Sequence, residues 1–347
     1  MGAPDPIEAG QLESVAECLA LVDPGSGMRG LQPLLQRGGA AGATLGVFHS
    51  GRPIRPRYGV WFRGHADVKW QLTPTVFRDA NIGPDGTVQK LYYEEVALYH
   101  SFRTRVWNMV ERDLTAYEWL CIMRHHALPT RLLDWSESIL VALFFAVEDP
   151  SHDGQDSCLY VLNAYALNDE TGLFTGIATP ATSDVVVRAS MVLFYAYPDV
   201  FAHARTQKME DYRLPKDLET DVTLRARLCR PVATVPNYIH NRLTVQSSVF
   251  TLHGGKKLYN PKEAADQHVK ATRERADLID EPVTLEQVAH EVAGKSERKI
   301  LLRFTIPSKA RRPIREHLEH LGIHRGMLFP DLENQAVYLA KLWRQLV

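Results

Sequence analysis

Residues 119–147 read WLCIMRHHALPTRLLDWSESILVALFFAV, and the rest of the chain is read outward from this stretch. Its second half, Ile139 to Val147, is apolar on every side, and a helix without a polar face lies inside a globular protein. Just ahead stands a polar cluster of His125, His126, Thr130, Arg131, Asp134 and Ser136. Asp134, followed three residues later by Glu137 and then by the apolar run, reads as a capping-box variant. This predicts a helix over 135–147 with the cluster at its N-terminus, where free backbone N–H groups and a partial positive charge suit an anion. A plainer reading stands beside it: Arg131 and Asp134 pair locally and only cap the helix.

The length of 347 residues allows one large domain or two ordinary ones. Apolar residues make up 45% and charged residues 23%, as in ordinary soluble globular chains. A net charge of −1 gives no overall basic footprint for nonspecific nucleic-acid binding, though a local basic groove stays open. Cys18, Cys121, Cys158 and Cys229 lie far apart and form no CxxC pair, which points to a reducing compartment without structural zinc. The opening MGAPDPIEAG lacks a basic and then apolar leader, and no apolar run reaches membrane-spanning length. The expected location is cytoplasmic, with no membrane partner.

Along the chain, residues 1–40 predict a helical segment (Leu12, Val15, Cys18, Leu19, Leu21) and then a loose connection. RYGVWFRG at 57–64 predicts a strand, with Tyr58, Val60 and Phe62 on one face and Trp61 and Arg63 on the other, ending at Gly64. A second strand is expected near Trp70 and Leu72, a turn over 80–87, and helices over 89–113 and 115–127, the latter closed by Pro129. CLYVLN at 158–163 predicts a strand. Weak strands are expected at 185–195, a strand at 243–252, and a polar, partly helical insertion at 260–295. A strand at 299–306 and helices at 308–321 and about 331–346 close the chain. Irregular alternation of strands and helices predicts an α+β fold, a mixed or antiparallel sheet core with flanking helices.

Arg63, at the end of an aromatic strand beside Gly64, can fork onto a phosphate or carboxylate, or pair with a surface acid. The adjacent His125 and His126 point about 100° apart on a helix, which is poor geometry for one metal, and no HExxH follows. Trp61, Trp70, Trp135, Tyr58 and Phe62 can stack on a base or nicotinamide, with core packing the commoner role. HGGKK at 253–257 is not a phosphate loop, and Lys256 and Lys257 read as a solvated turn or a phosphate contact.

These residues resemble the FRG domain, a family named for Phe-Arg-Gly. The resemblance rests on Phe62-Arg63-Gly64, Trp70-x-Leu72-x-Pro74 with Arg78, and RHHALPTRLLDWSESILVALFFA at 124–146. Arg242, Gln246, Phe250-Thr251 and His253 are similar to a third block, and LGIHRGMLFPDLE at 321–333 to a C-terminal one. It implies an FRG domain over 41–347, with insertions near 164–230 and 258–295. A weaker resemblance is to ADP-ribosyltransferases of the Arg-Ser-Glu type, in which Arg63 matches the Arg and Thr130 the Ser/Thr element. Ala142-Leu143-Phe144-Phe145-Ala146 matches the apolar run, and Gln246 stands where the family has Glu. This implies an ADP-ribosyltransferase-like fold with NAD as substrate and a nucleic-acid or protein acceptor. Arg63, Thr130 and Gln246 would be catalytic, and Arg63, Gly64, His126, Thr130, Arg131, Asp134 and Trp135 would hold NAD. By the same association the setting would be a toxin or phage-defence system, with an antitoxin or defence partner. The departure at Gln246, which cannot act as a base, leaves a non-catalytic nucleotide- or RNA-binding module as the alternative.

Overall fold

A computed structural model of the chain describes residues 5–23, 25, 28–35, 47–49, 52–54, 59–78, 80–81, 90–91, 93–110, 114–173, 176–195, 222–239, 241–255, 282–295 and 299–343. Strand β1 (Glu8–Gln11) leads into α1 (Val15–Leu21), started by the Ser14 hydroxyl accepting from the Glu17 N–H. The short α2 (Gln32–Leu35), then β2 (Val47–His49) paired with β3 (Arg52–Ile54), precede β4 (Val60–His65). A second small ladder joins β5 (Ala80–Asn81) to β6 (Lys90–Leu91). Next come α3 (Glu95–Val106) and α4 (Ala116–His125), the latter opened by a reciprocal capping box between Thr115 and Glu118. Then follow β7 (Leu132–Ser136), α5 (Ile139–Val147), β8 (Ser157–Asn163), α6 (Ala164–Thr171) and α7 (Pro180–Tyr195). The last strands are β9 (Val232–Thr234), β10 (Ser248–Leu252) and β11 (Leu301–Ile306), with helices at Leu285–Ala293, Ser308–His320 and Leu332–Leu342 among those between and after them.

Seven strands form one mixed sheet in the order β1-β11-β8-β4-β7-β10-β9. Only β1 runs parallel to its neighbour β11, and the other pairings are antiparallel. The α+β class expected from the sequence is the one observed.

The sheet has two differently covered faces, and strand alternation decides which side chains go where. Val60 and Phe62 of β4, Leu159 and Val161 of β8, and Leu302, Phe304 and Ile306 of β11 pack in one cluster with α1, α5 and the Ser308–His320 helix. On the same face, farther along, Leu132, Phe250 and Leu252 pack with residues of α3, α4 and α7. Trp61, Tyr160, Leu162, Leu133, Trp135 and Val249 face the other way, under α6 and the Leu285–Ala293 helix. The α5 helix is almost wholly buried, as its apolar sequence requires, and each such aliphatic or aromatic side chain stabilises the fold by about 1.5–3 kcal/mol. Gly64 lets it lie close on β4: a Cβ there would sit 2.0 Å from the Ala142 carbonyl oxygen and 2.5 Å from the Ala146 nitrogen.

Several expectations change. The segment around Asp134 is strand, not helix start, because all five residues of β7 pair with β10, from Ser136↔Ser248 to Leu132↔Leu252. The helix therefore begins at Ile139, and Ser138, whose hydroxyl accepts from the Val141 N–H, takes the capping place given to Asp134. Residues 185–195 are helical in α7, the Trp70–Leu72 segment is loop, and 241–245 forms a short helix ahead of β10. The described end of the 260–295 segment is not poor in core residues, since Leu285, Val288, Ala289 and Val292 are buried. The described N-terminal residues join the main fold through the β1–β11 pairing and through Leu12, Val15 and Cys18 in the α5 core. Tyr58, the 82–87 turn and Lys256–Lys257 lie outside the described residues.

Candidate functional site

Strand β4 pairs with β8 over six residues, Val60↔Asn163 through His65↔Cys158, but with β7 only at Phe62↔Ser136. Beyond that pair the two central strands part. The helices above the sheet part there too, α5 staying with β4 and α4 with β7. A cleft of about 690 Å³ opens at this fork, a volume suited to a small ligand or cofactor. Arg63, Gly64 and His65 of β4, Arg124 and His125 of α4, and Asp134 and Trp135 of β7 line it. Val141, Ala142 and Phe145 of α5, together with Arg242 and Gln246, also line it, and Lys69, Trp70, Phe77 and Arg78 contribute from the loop after β4.

Arg63 is tied in place on two sides. Its Nε donates to His65 Nε2 at 2.9 Å and its Nη1 donates to the Asp134 carbonyl oxygen at 2.5 Å. The remaining Nη2 has no hydrogen-bond partner among the described residues. Since Nε2 of His65 accepts, its Nδ1 carries the proton and donates to the Trp70 carbonyl oxygen at 3.2 Å. Burial, with Arg63 alongside, pushes His65 down to about 2, so this tautomer is held at neutral pH. Burial also pulls the Arg63 guanidinium down to about 10; Asp134 opposes that shift, and Arg124 and Arg78 add to it. Arg63 stays protonated at neutral pH.

Among the described residues Asp134 is the only carboxylate that lines the cleft. Its Oδ2 accepts from Arg124 Nε at 2.8 Å and also from Arg124 Nη2, and it stands 3.8 Å from Arg63 Nη1. Burial by itself would raise Asp134, but Arg124, with its hydrogen bond, and then Arg63 and Arg242 outweigh it and hold the carboxyl below the usual range. A carboxylate so held is a fixed negative charge and a weak base. Arg124 Nη1 also reaches the Thr75 hydroxyl at 3.1 Å. Arg242 lies over the Phe329 ring, 4.3 Å from its centroid.

The residues singled out in the sequence divide at this point. Arg63, Gly64, Asp134, Trp135 and Gln246 line the cleft; Thr130, Arg131 and His126 do not. Thr130 is fully buried beside β7, its hydroxyl accepting from the Leu132 N–H. Arg131 is sealed from solvent, with bonds to both Glu95 carboxylate oxygens and to the His253 carbonyl oxygen. His126 ends α4 and is exposed, so of the two histidines it is His125 that reaches the cleft. Gln246 lies just before β10, not on it, and its Nε2 donates to the Leu328 carbonyl oxygen. Among the described residues no group of three or more His, Cys, Asp and Glu side chains could hold a metal ion, and all four cysteines are buried free thiols.

Four cleft cations and one imidazole received no role from the sequence: Lys69, Arg78, Arg124, Arg242 and His65. A signal existed for His65, because alternation along β4 places it on the same side as Arg63, two residues on. Arg124 and Arg242 reach the cleft from separate helices, and no local spacing announces that.

A comparison with curated proteins and one with solved structures found no match. Residues 58–155 match the family model described as FRG domain, a span that holds Phe62-Arg63-Gly64, Arg78, Arg124 and Asp134 and stops short of Arg242 and Gln246. That match places the likeness to the FRG domain on β4, α4, β7 and α5, the elements that meet at the cleft.

Proposed function

We propose that the cleft binds NAD through its diphosphate and that the chain transfers the ADP-ribose group to a macromolecular acceptor. The observation that carries this reading is Arg63, fixed by His65 and by the Asp134 backbone, with one guanidinium edge open and with Arg124 and Arg242 beside it. Such an arrangement grips a pyrophosphate without reorganising. Phe145 offers an aromatic face to a ring, and the Gln246 side-chain carbonyl can accept from a ribose hydroxyl while its amide is held by Leu328.

In this chemistry the bond between ribose C1′ and the nicotinamide nitrogen breaks, and its electron pair neutralises the pyridinium. The sugar becomes cation-like, as in glycoside hydrolysis. Ionised Asp134 stabilises that charge. The acceptor nucleophile then bonds to C1′ and releases its proton to solvent, because Asp134 is too weak a base to take it. The test is incubation with NAD labelled in its adenylate, reading label transfer and free nicotinamide. Wild type yields both, Arg63→Ala loses both by a factor of about 100 or more, and equal background from the two chains removes the reading.

A second reading has its own observation. Asp134, the one cleft carboxylate among the described residues, is already paired with guanidinium groups, so the site can hold a nucleotide without turning it over. Saturable NAD binding that Arg63→Ala abolishes, without nicotinamide release, is its mark. A toxin or phage-defence setting, with an antitoxin or defence partner, rests on family association and on no residue of the cleft. Among the described residues no helix is long and apolar enough to cross a membrane, and the buried free thiols favour a cytoplasmic location.

A further inference from the structure

The cleft carries more positive charge than one diphosphate uses. Among the described residues Arg63, Arg124, Arg242, Lys69 and Arg78 line it with one carboxylate, Asp134, in a chain whose net charge is −1. A diphosphate takes up about two of the four surplus charges, one for each phosphate. The cations also sit at two levels. Arg63, Arg124 and Arg242 are partly buried at the fork, while Lys69 and Arg78 are exposed at the mouth, on the loop that follows β4. Between them Trp70 leaves 47% of its surface exposed, an uncommon state for a tryptophan. The Trp70 backbone is not loose, since its carbonyl oxygen is held by His65, and its ring meets His152 edge-on at 5.4 Å.

We infer that this mouth binds single-stranded nucleic acid, with Lys69 and Arg78 on the backbone phosphates and Trp70 under an unpaired base. The pairing of cations with an exposed aromatic fits a strand whose bases are free to stack, and a duplex keeps its base faces covered. An acidic peptide would use the cations but leave Trp70 without a role. That the bound strand is also the acceptor of ADP-ribose rests on the NAD reading above; the binding surface does not.

The experiment uses the full chain and a fluorescein-labelled oligouridylate, followed by anisotropy between about 50 and 200 mM salt. The variants are Trp70→Ala and the pair Lys69→Gln with Arg78→Gln, with NAD binding measured in parallel by calorimetry. The inference expects the pair to weaken oligonucleotide binding about tenfold and to lower the salt slope by about 1.4. Trp70→Ala weakens it about tenfold at an unchanged slope. NAD affinity, read in parallel, falls by a smaller factor than oligonucleotide affinity in each variant. Oligonucleotide binding with this pattern but without NAD binding or nicotinamide release sustains the surface and removes the NAD reading alone. NAD turnover that labels protein in nuclease-treated lysate, with no oligonucleotide binding, overturns the inference and leaves the NAD reading in place. Oligonucleotide binding that is indifferent to all three residues also overturns it.

Discussion

Arg131 and Asp134 lie three residues apart on one run of chain, and each forms an ion pair, but the two pairs meet different surroundings. At one end of β7 the Arg131 and Glu95 side chains are both 0% exposed, stacked under Phe77 and closed over by the His253 carbonyl. At the fork the Arg124–Asp134 pair keeps 21% and 39% of its side chains in solvent, and Arg63 shares the carboxylate. Neither member of the sealed pair lines the cleft, and no incoming anion can compete for it. It fastens α3 to the sheet. The open pair can be re-partitioned, because a phosphate arriving at Arg63 and Arg124 replaces part of what Asp134 supplies. Burial, not residue type, makes one arginine scaffold and its neighbour a site.

The contrast breaks most sharply at Glu95. Glu95→Gln keeps the shape but leaves Arg131 charged and buried without its counter-ion, and removing one partner of such a pair costs roughly 3–5 kcal/mol. Urea unfolding of the variant therefore shows a large fall in midpoint. A loss below about 1 kcal/mol would mean that solvent reaches Arg131 after all. Gly64→Ala comes next and strikes the wall of the open region, where α5 lies on β4. The new Cβ meets α5 backbone at 2.0 and 2.5 Å, and neither contact is a flexible side-chain end. Overpacking of this kind costs roughly 2–3 kcal/mol and pushes α5 off β4. If the cleft holds NAD as proposed, the same variant loses NAD affinity, because Ala142 and Phe145 of α5 line the cleft.

Two histidines sharpen the comparison through pH. Burial, with Arg63 and Arg78 nearby, holds His65 down to about 2; burial, with Arg131 and Arg63, holds His253 down to about 3. Both folded values lie below the unfolded value of about 6.5. The unfolded chain thus binds protons that the folded chain refuses, and the stability these groups carry is full above about pH 6.5. It is lost as pH falls toward the folded values, by up to about 1.4 kcal/mol per pH unit for each histidine. His65→Gln, which retains an acceptor for the Arg63 Nε–H, removes one histidine's share of that slope in urea titrations from neutral pH to about pH 5. An unchanged slope would place the His65 proton elsewhere.

What the sequence disclosed follows the same division between sealed and open. The apolar run from Ile139 to Val147 and the alternation of Val60, Trp61 and Phe62 announce α5 and β4, because hydrophobic period is a local signal that burial enforces. The strand character of Leu132–Ser136 was hidden, since it is set by pairing with β10 more than a hundred residues away, and Asp134 with Glu137 imitated a helix cap in the meantime. Val185, Val186 and Val187 looked like strand residues. Yet Val186, Val187 and Ala189 pack against α4, and hydroxyls of Thr179, Thr182 and Ser183 satisfy backbone groups where that helix starts. Of the site, Arg63 was legible from its place after an aromatic strand. Arg124 and Arg242 were not, because their shared cleft exists only where two strands diverge.

The smallest change in stability falls on the most consequential residue of the open pair. Asp134→Asn keeps the backbone carbonyl that accepts from Arg63, so β4 and β7 remain joined at that point. It removes a carboxylate that is more than a third exposed, and solvent screening limits that loss to about 1 kcal/mol or less. Because the folded value of Asp134 lies below the usual one, its contribution is present above about pH 4 and fades as pH falls through the folded value. At neutral pH the variant has four cleft arginines and Lys69 with no opposing charge among the described residues, so on the NAD reading the dinucleotide binds as tightly as before or more so. On the same reading the charge that would steady a cation-like ribose is gone, however, and nicotinamide release falls by about 100-fold. Tight binding with lost turnover thus separates a catalytic Asp134 from a merely structural one. A variant that binds and turns over like wild type would return Asp134 to the role of its neighbour Arg131, a strut with no part in the chemistry.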